Sequence, residues 1–335
     1  MDRVRRHARV VLTALAASAW LPACAASAPQ PVVQVVTPHP PLLLEPAEHL
    51  APAAGLEWIV IVEPQPLLAS RALQPELARL FPDFRLDLLE RSTAIDLRKL
   101  RRVAIASYPG STLFVLAGVR DPAEAERRFR ARLMRDLTRT EHRDDAVLVT
   151  GRLASGEPRA LVSLAPDVVV IESGGTRYAK AAWLRAMGKL ERSPSALRAP
   201  GLPGLVERVG SAPMRGFAPG PFVGEWEHGL HDLLGSASAA AAAVRITPVD
   251  SLQGSFALGG EWGARAEEAS GRLATSWGDL ANSGFGRLTG LDRPLRDPLP
   301  THAPDAVSVT VEVDPHRFLD GLRAAVSARI DEIMQ

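Results

Sequence analysis

Val307-Ser308-Val309-Thr310-Val311-Glu312-Val313 alternates apolar and polar side chains over seven residues. Successive strand side chains point to opposite faces, so this pattern predicts a strand with one buried and one wet face. Such one-sided strands belong to antiparallel sheets. Asp314-Pro315 follows and opens a helix whose apolar stripe is Phe318, Leu319, Leu322, Val326, Ile330 and Ile333. A strand followed at once by an amphipathic helix sets the grammar for the rest of the chain.

Working back toward the N-terminus, residues 289–304 carry Pro294, Pro298, Pro300 and Pro304 and read as a loop, either a surface excursion or a lid. Residues 264–288 predict a long helix, 244–249 and 252–259 a hairpin, and the alanine-rich 222–242 another helix. Residues 193–222 hold six prolines and mark a connection between two modules. In the first module, 58–62 (WIVIV) is an apolar, β-branched run suited to a strand buried on both faces, and 67–81 reads as a helix. Residues 103–106 and 113–119 form a hairpin around Pro109-Gly110, and 146–150, 160–164 and 168–171 add three short strands. Asp121-Pro122-Ala123-Glu124 has the N-cap, N1 proline and N3 acid of a helix start, and Phe129, Leu133 and Leu137 follow at four-residue spacing. Gly174-Gly175-Thr176 leads into a helix through Trp183, Leu184, Met187 and Leu190. Strand, acid, proline, helix recurs at Glu63, Asp121 and Asp314, either an internal repeat or three uses of a good helix start. The expected fold is α+β, with mostly antiparallel sheet covered by amphipathic helices.

The first two dozen residues carry an address. Arg3, Arg5, Arg6 and Arg9 precede an uncharged run over 10–19, then Trp20-Leu21-Pro22-Ala23-Cys24. That is the order of a secretory signal peptide, and the run is about half of the ~20 residues a membrane span needs. Leu21-Pro22-Ala23-Cys24 resembles the lipobox of bacterial lipoproteins. The resemblance implies diacylglycerol on the Cys24 thiol, cleavage after Ala23, a further acyl chain on the freed amine, and hence a membrane as partner. Ala25, where an Asp retains the best-understood lipoproteins in the inner membrane, implies an outer-membrane address. Cys24 is the chain's one cysteine, so no internal disulfide forms and the body depends on its core. The expected organisation is a signal peptide over 1–23, a lipidated, proline-rich tether over 24–55, a first module over 56–192, the connection at 193–222 and a second module over 223–335.

Taking the four arginines and one aspartate of residues 1–23 from the chain's 39 basic and 38 acidic residues leaves 35 against 37, a net charge of −2. A near-neutral mature chain argues against nucleic acid as partner. Three lysines beside 36 arginines look like codon bias of a GC-rich genome, so the cluster at Arg127, Arg128, Arg130, Arg132 and Arg135 reads as a solvated helix face.

Catalytic signatures are missing. There is no Gly-x-Ser-x-Gly elbow, the only thiol is the anchor, and Gly254 to Gly260 lacks the Lys-Ser/Thr of a phosphate loop and falls in an expected strand. Glu225, His228 and His231 would share a face if helical, but the order is not that of zinc proteases, and a further ligand would have to come from His302 or His316. Gly174-Gly175-Thr176 offers an anion cradle or a plain turn. Trp226, Trp262, Trp277, Phe217, Phe222, Phe256 and Phe285 gather in the second module, as core or as a groove between sheet and long helix gated by 289–304. The leading expectation is a non-enzymatic, lipid-anchored envelope protein with no cofactor, whose body binds another envelope component or is structural. The alternative is a carrier for a small apolar ligand in the second module; a metal-dependent hydrolase using His228 and His231 comes third.

Overall fold

The computed structural model describes residues 40–142, 145–190 and 192–334. Cys24 and the leader lie outside the described residues. Pro41–Gln335 forms one compact unit. The first half supplies strands β1 (Trp58–Val62), β2 (Arg102–Tyr108), β3 (Ser111–Ala117), β4 (Arg135–Glu141), β5 (Ala146–Arg152), β6 (Pro158–Leu164) and β7 (Val168–Ser173). The second supplies β8 (Met214–Pro219), β9 (Ala239–Ile246), β10 (Leu252–Gly259), β11 (Arg296–Ala303) and β12 (Ala306–Val313). Helices in the first half are α1 (Pro64–Ala69), α2 (Gln74–Leu80), α3 (Asp83–Thr93), α4 (Pro122–Arg130) and α5 (Arg177–Ala186). Those in the second are α6 (Leu202–Val209), α7 (Gly229–Ser236), α8 (Ala266–Asn282), α9 (Gly284–Leu288) and α10 (Pro315–Met334).

The twelve strands form a single sheet in the order β11-β12-β10-β9-β8-β1-β2-β3-β7-β6-β5-β4. Every ladder between them is antiparallel. The fold is α+β. The two expected modules share this sheet, because β1 pairs with β2 on one side and with β8 on the other. Both faces are covered. One apolar layer joins α5 and α6 to Ile59, Ala104, Val115, Val170, Ala241 and their neighbours. On the opposite face α4 covers the first half, while α7, α8 and α10 cover the second.

Several sequence expectations are corrected by tertiary structure. The tether expected over 24–55 is docked from residue 42 onward. Leu42 and Leu44 pack on the core, Ala47, Leu50 and Ala51 are buried, and Pro52 bridges to Ser195. Glu48 fixes this strap to the sheet, taking bonds from Arg102 at 3.1 Å and facing Arg215 at 3.8 Å. Burial works against the Arg102 charge, but Glu48 and Glu63 outweigh it and hold its pKa above the ordinary value. The helix over 67–81 is two short ones, separated at Ser70 and restarted at Pro75 in the first turn of α2. The helix from Pro122 stops at Arg130, so Leu137 sits not on it but on β4, whose backbone groups pair with β5. The helix over 264–288 breaks at Ser283, which caps α9 by accepting the Gly286 N–H at 3.0 Å.

The largest reversal is at the alanines. Residues 222–242 were expected to be one helix, yet Ala239 to Ala243 lie in β9, hydrogen-bonded between β8 and β10. Alanine's helix preference is worth at most about 1 kcal/mol per residue, and two ladders override it. The small side chains serve packing: Gly259 on β10 and the β9 alanines let Leu205 of α6 approach closely, with a Cβ at Gly259 only 3.3 Å from it. Residues 289–304, expected to be a loop or lid, contain edge strand β11. Its Pro298 and Pro300 are tolerated because an edge needs only one ladder.

Candidate functional site

The β9 alanines also mark the site. Ala240 is buried, whereas Ala242, two residues along on the same face, is exposed even though β9 lies inside the sheet. A cavity of about 330 Å³ lies over it. Its floor is Ala242 and Val244 of β9, Leu252, Gly254 and Phe256 of β10, and Val309, Val311 and Val313 of β12. The register explains their convergence: Phe256 faces Ala242, Gly254 faces both Val244 and Val311, and Leu252 faces Val313. The roof is Leu273, Ser276, Trp277 and Leu280, the i, i+3, i+4, i+7 face of α8. Leu230, Leu291 and Phe318 line the remainder.

The cavity exists because neighbouring layers do not close over two small residues. Trp277 belongs both to the apolar cluster under α8 and to the one shared by α1, α2 and α10. Ala242 and Gly254 are the smallest residues of the floor named above. The wall offers almost no free polar group. The Ser276 hydroxyl donates to Arg272 O at 3.0 Å, while Ser255, between Gly254 and Phe256, turns its hydroxyl to the opposite face, where it accepts from Arg245 at 3.4 Å. Leu280 lines the cavity and is 44% exposed, which puts an opening beside it.

At that side Leu230, His231 and Asp232 all have left-handed backbone, each at a cost of roughly 1–2 kcal/mol. The segment is held on α8 by His231 Nε2 against Asp279 at 2.7 Å and by Arg272 donating to the His231 carbonyl. His228 pairs with Asp232 instead, at 3.0 Å. The helical face proposed for Glu225, His228 and His231 is therefore not formed, and each imidazole has its own carboxylate. His302 stands on β11, and His316 lies 3.8 Å from Glu76. Among the described residues no group of three or more His, Cys, Asp or Glu side chains could hold a metal ion.

The glycine turn before α5 is taken as well. Glu172 is wholly buried and accepts the Ala179 N–H at 2.7 Å and the Ser111 hydroxyl at 2.8 Å, so the chain's own carboxylate fills the anion position. A larger cleft of about 480 Å³ between α3 and α4 is lined mainly by charged side chains, most of them bonded within the protein. Asp96 there accepts from Arg98 and Lys99, and Arg128 from α4 donates to the Glu90 carbonyl. Burial opposes the Asp96 charge, but those bonds prevail and keep its pKa below the ordinary carboxylate value.

No family model matches the chain, and no curated protein matches it. Solved structures of TP0453 do. Crystal form III is 11% identical with a TM-score of 0.46, covering 82% of this chain and 97% of that one. Form IV is 10% identical with a TM-score of 0.45, covering 80% and 94%.

Of the apolar residues singled out in the sequence, Phe256 and Trp277 line the cavity. Trp262 is core beside it, Phe217 is core on the opposite face, and Trp226 and Phe285 are exposed. From 289–304 the lining takes only Leu291, so that stretch is no gate over the groove. Ala242 and Gly254 were missed. Their signal was small residues on the buried face of a hairpin, hidden at Ala242 by the helical reading of the alanines.

Proposed function

We propose that this protein is a non-enzymatic, lipid-anchored carrier or binding protein of the bacterial envelope that holds a small apolar ligand between β9, β10, β12 and α8. The observation that carries the reading is the apolar cavity over Ala242, whose one inward hydroxyl, that of Ser276, already donates to Arg272 O. A site so poor in hydrogen-bonding groups holds a ligand chiefly by burial, at about 25 cal/mol per Å² of apolar surface. The anchor is Cys24 within the Leu21-Pro22-Ala23-Cys24 box, with Ala25 favouring the outer membrane. No helix among the described residues is long and apolar enough to cross a membrane, so the reading places attachment at the lipid.

Native mass spectrometry of the protein recovered from its own host tests the carrier role. Organic mass that is lost on denaturation is the expected result; a bare polypeptide mass from freshly isolated cells overturns it. Fractionation of a Cys24→Ser variant tests the anchor, since retention in the membrane fraction would refute lipid attachment.

A second reading, docking to another envelope component, is favoured by a separate feature. Phe81, Phe84 and Leu88 are 56%, 65% and 60% exposed on and beside α3, at the spacing of one helical face. Crosslinking from Phe84 in whole cells to a single partner would support it.

A further inference from the structure

This inference rests on the carrier reading and names its ligand. We propose that the cavity takes one straight hydrocarbon chain, tail first, with the polar end left outside beside Leu280.

Dimensions carry the argument. The roof residues Leu273 to Leu280 span seven steps of helix, about 10 Å at ~1.5 Å per residue. The floor from Val309 to Val313 spans four steps of strand, about 14 Å at ~3.4 Å per residue. An extended hydrocarbon chain lies along that length. With about 30 Å³ for each water-sized group, a volume of about 330 Å³ holds on the order of ten methylenes, the amount of a single chain.

Chemistry points the same way. Ser255 turns its hydroxyl to the opposite face of the sheet and Ser276 donates its own to Arg272 O, so a polar group on the buried part of a ligand would lose its hydrogen bonds to water with little in the wall to replace them. The charged groups His231, Asp279 and Arg272 lie outside, next to exposed Leu280. An amphiphile with an unsubstituted tail satisfies both ends.

The test uses the mature chain, residues 24–335, carrying Cys24→Ser so that it is purified without detergent. A fatty acid carrying a dansyl group at its carboxyl end is bound and then displaced by straight-chain acids from eight to sixteen carbons, by a sterol and by a rigid polycyclic dye. Displacement is expected to strengthen about fourfold per added methylene up to on the order of ten carbons, and then to level off as further carbons stay outside. Gly254→Leu is expected to weaken binding at least tenfold with no loss of melting temperature. A Cβ there meets only Val311, at 3.5 Å, so the new side chain enters the cavity without displacing its wall. Ala242→Leu fills the same space from β9 if the first variant folds poorly. If the sterol or dye displaces the probe and straight chains do not, the ligand class is overturned while the carrier reading stands. If neither variant weakens the binding of straight chains, they bind elsewhere and the proposal is overturned. If no probe binds, both fall.

Discussion

Glu48 shows how one buried side chain decides whether a segment is tether or core. It is 3% exposed and meets two guanidiniums, Arg102 from β2 and Arg215 from β8. Glu48→Gln keeps the shape and removes the charge, leaving both arginines under-neutralised. The expected loss is about 2–3 kcal/mol, below the ~3–5 of a fully enclosed pair because Arg102 keeps some contact with water. Urea unfolding measures it, and a loss under about 0.5 kcal/mol would show the pairing to be idle. The next residue sets a pH dependence. Burial holds the His49 imidazole below its ordinary pKa of 6.5; Glu48 opposes the shift and Arg198, Arg185 and Arg102 reinforce it. A depressed folded-state pKa means that protonation favours the state in which the strap is released. His49 therefore contributes stability that is complete above pH 6.5 and is lost as the pH falls through 6.5 toward the lower folded value. Stability of the wild type relative to His49→Gln, followed from pH 7.5 to 5, should decline. A constant difference would refute the assignment.

At the scale of elements, β9 offers an internal comparison. Ala241 and Ala242 are adjacent but face opposite layers. Ala241 is 2% exposed under α6, and Ala242 opens on the cavity. Ala241→Leu should overpack its layer and cost about 1–3 kcal/mol, whereas Ala242→Leu should be neutral or stabilising. Equal costs in thermal unfolding would mean that the cavity is not open in solution. The same strand marks the limit of what the sequence discloses. Runs rich in valine and isoleucine, such as 58–62 and 307–313, and the hairpin at Pro109-Gly110 were legible as strands, although 58–62, expected to be buried on both faces, buries only Ile59 and Ile61 and leaves Trp58 exposed. Ala239 to Ala243 has a local preference for helix, and its strand state exists only through ladders to β8 and β10. Leu137 followed Phe129 and Leu133 at helical spacing for the same reason, although its backbone pairs with β5. The cavity was half legible. Tryptophan and phenylalanine announced an apolar site between sheet and helix, but an absence of side chains at Ala242 and Gly254 gives no periodic signal.

Over the whole molecule, the point of interest is where one sheet serves two halves. Its outer edges are poor templates for further pairing. β4 is exposed throughout and carries Arg135, Asp136, Arg139 and Glu141, while β11 carries two prolines. The seam is different: β1 is short, is paired on both sides, and joins β2 to β8 through Val60, which faces both Ile105 and Gly216. The Glu48 and Glu63 carboxylates cross the same seam to Arg102 and Arg215. The apolar layer under α5 and α6 is also continuous through it, running from Val170 to Ala257. If these contacts couple the halves, unfolding is one cooperative event despite the length of the sheet. Val60→Pro provides the discriminating case. A proline in a strand paired on both sides removes a ladder hydrogen bond and costs ~3 kcal/mol or more. Coupled halves would lose amide hydrogen-exchange protection together, in β6 of the first half and in β10 of the second. Protection retained in β10 while β6 loosens, or the reverse, would mean that the halves fold independently and merely share an edge. Under coupling, β6, six places from β9 in sheet order, still sets how often the cavity floor opens.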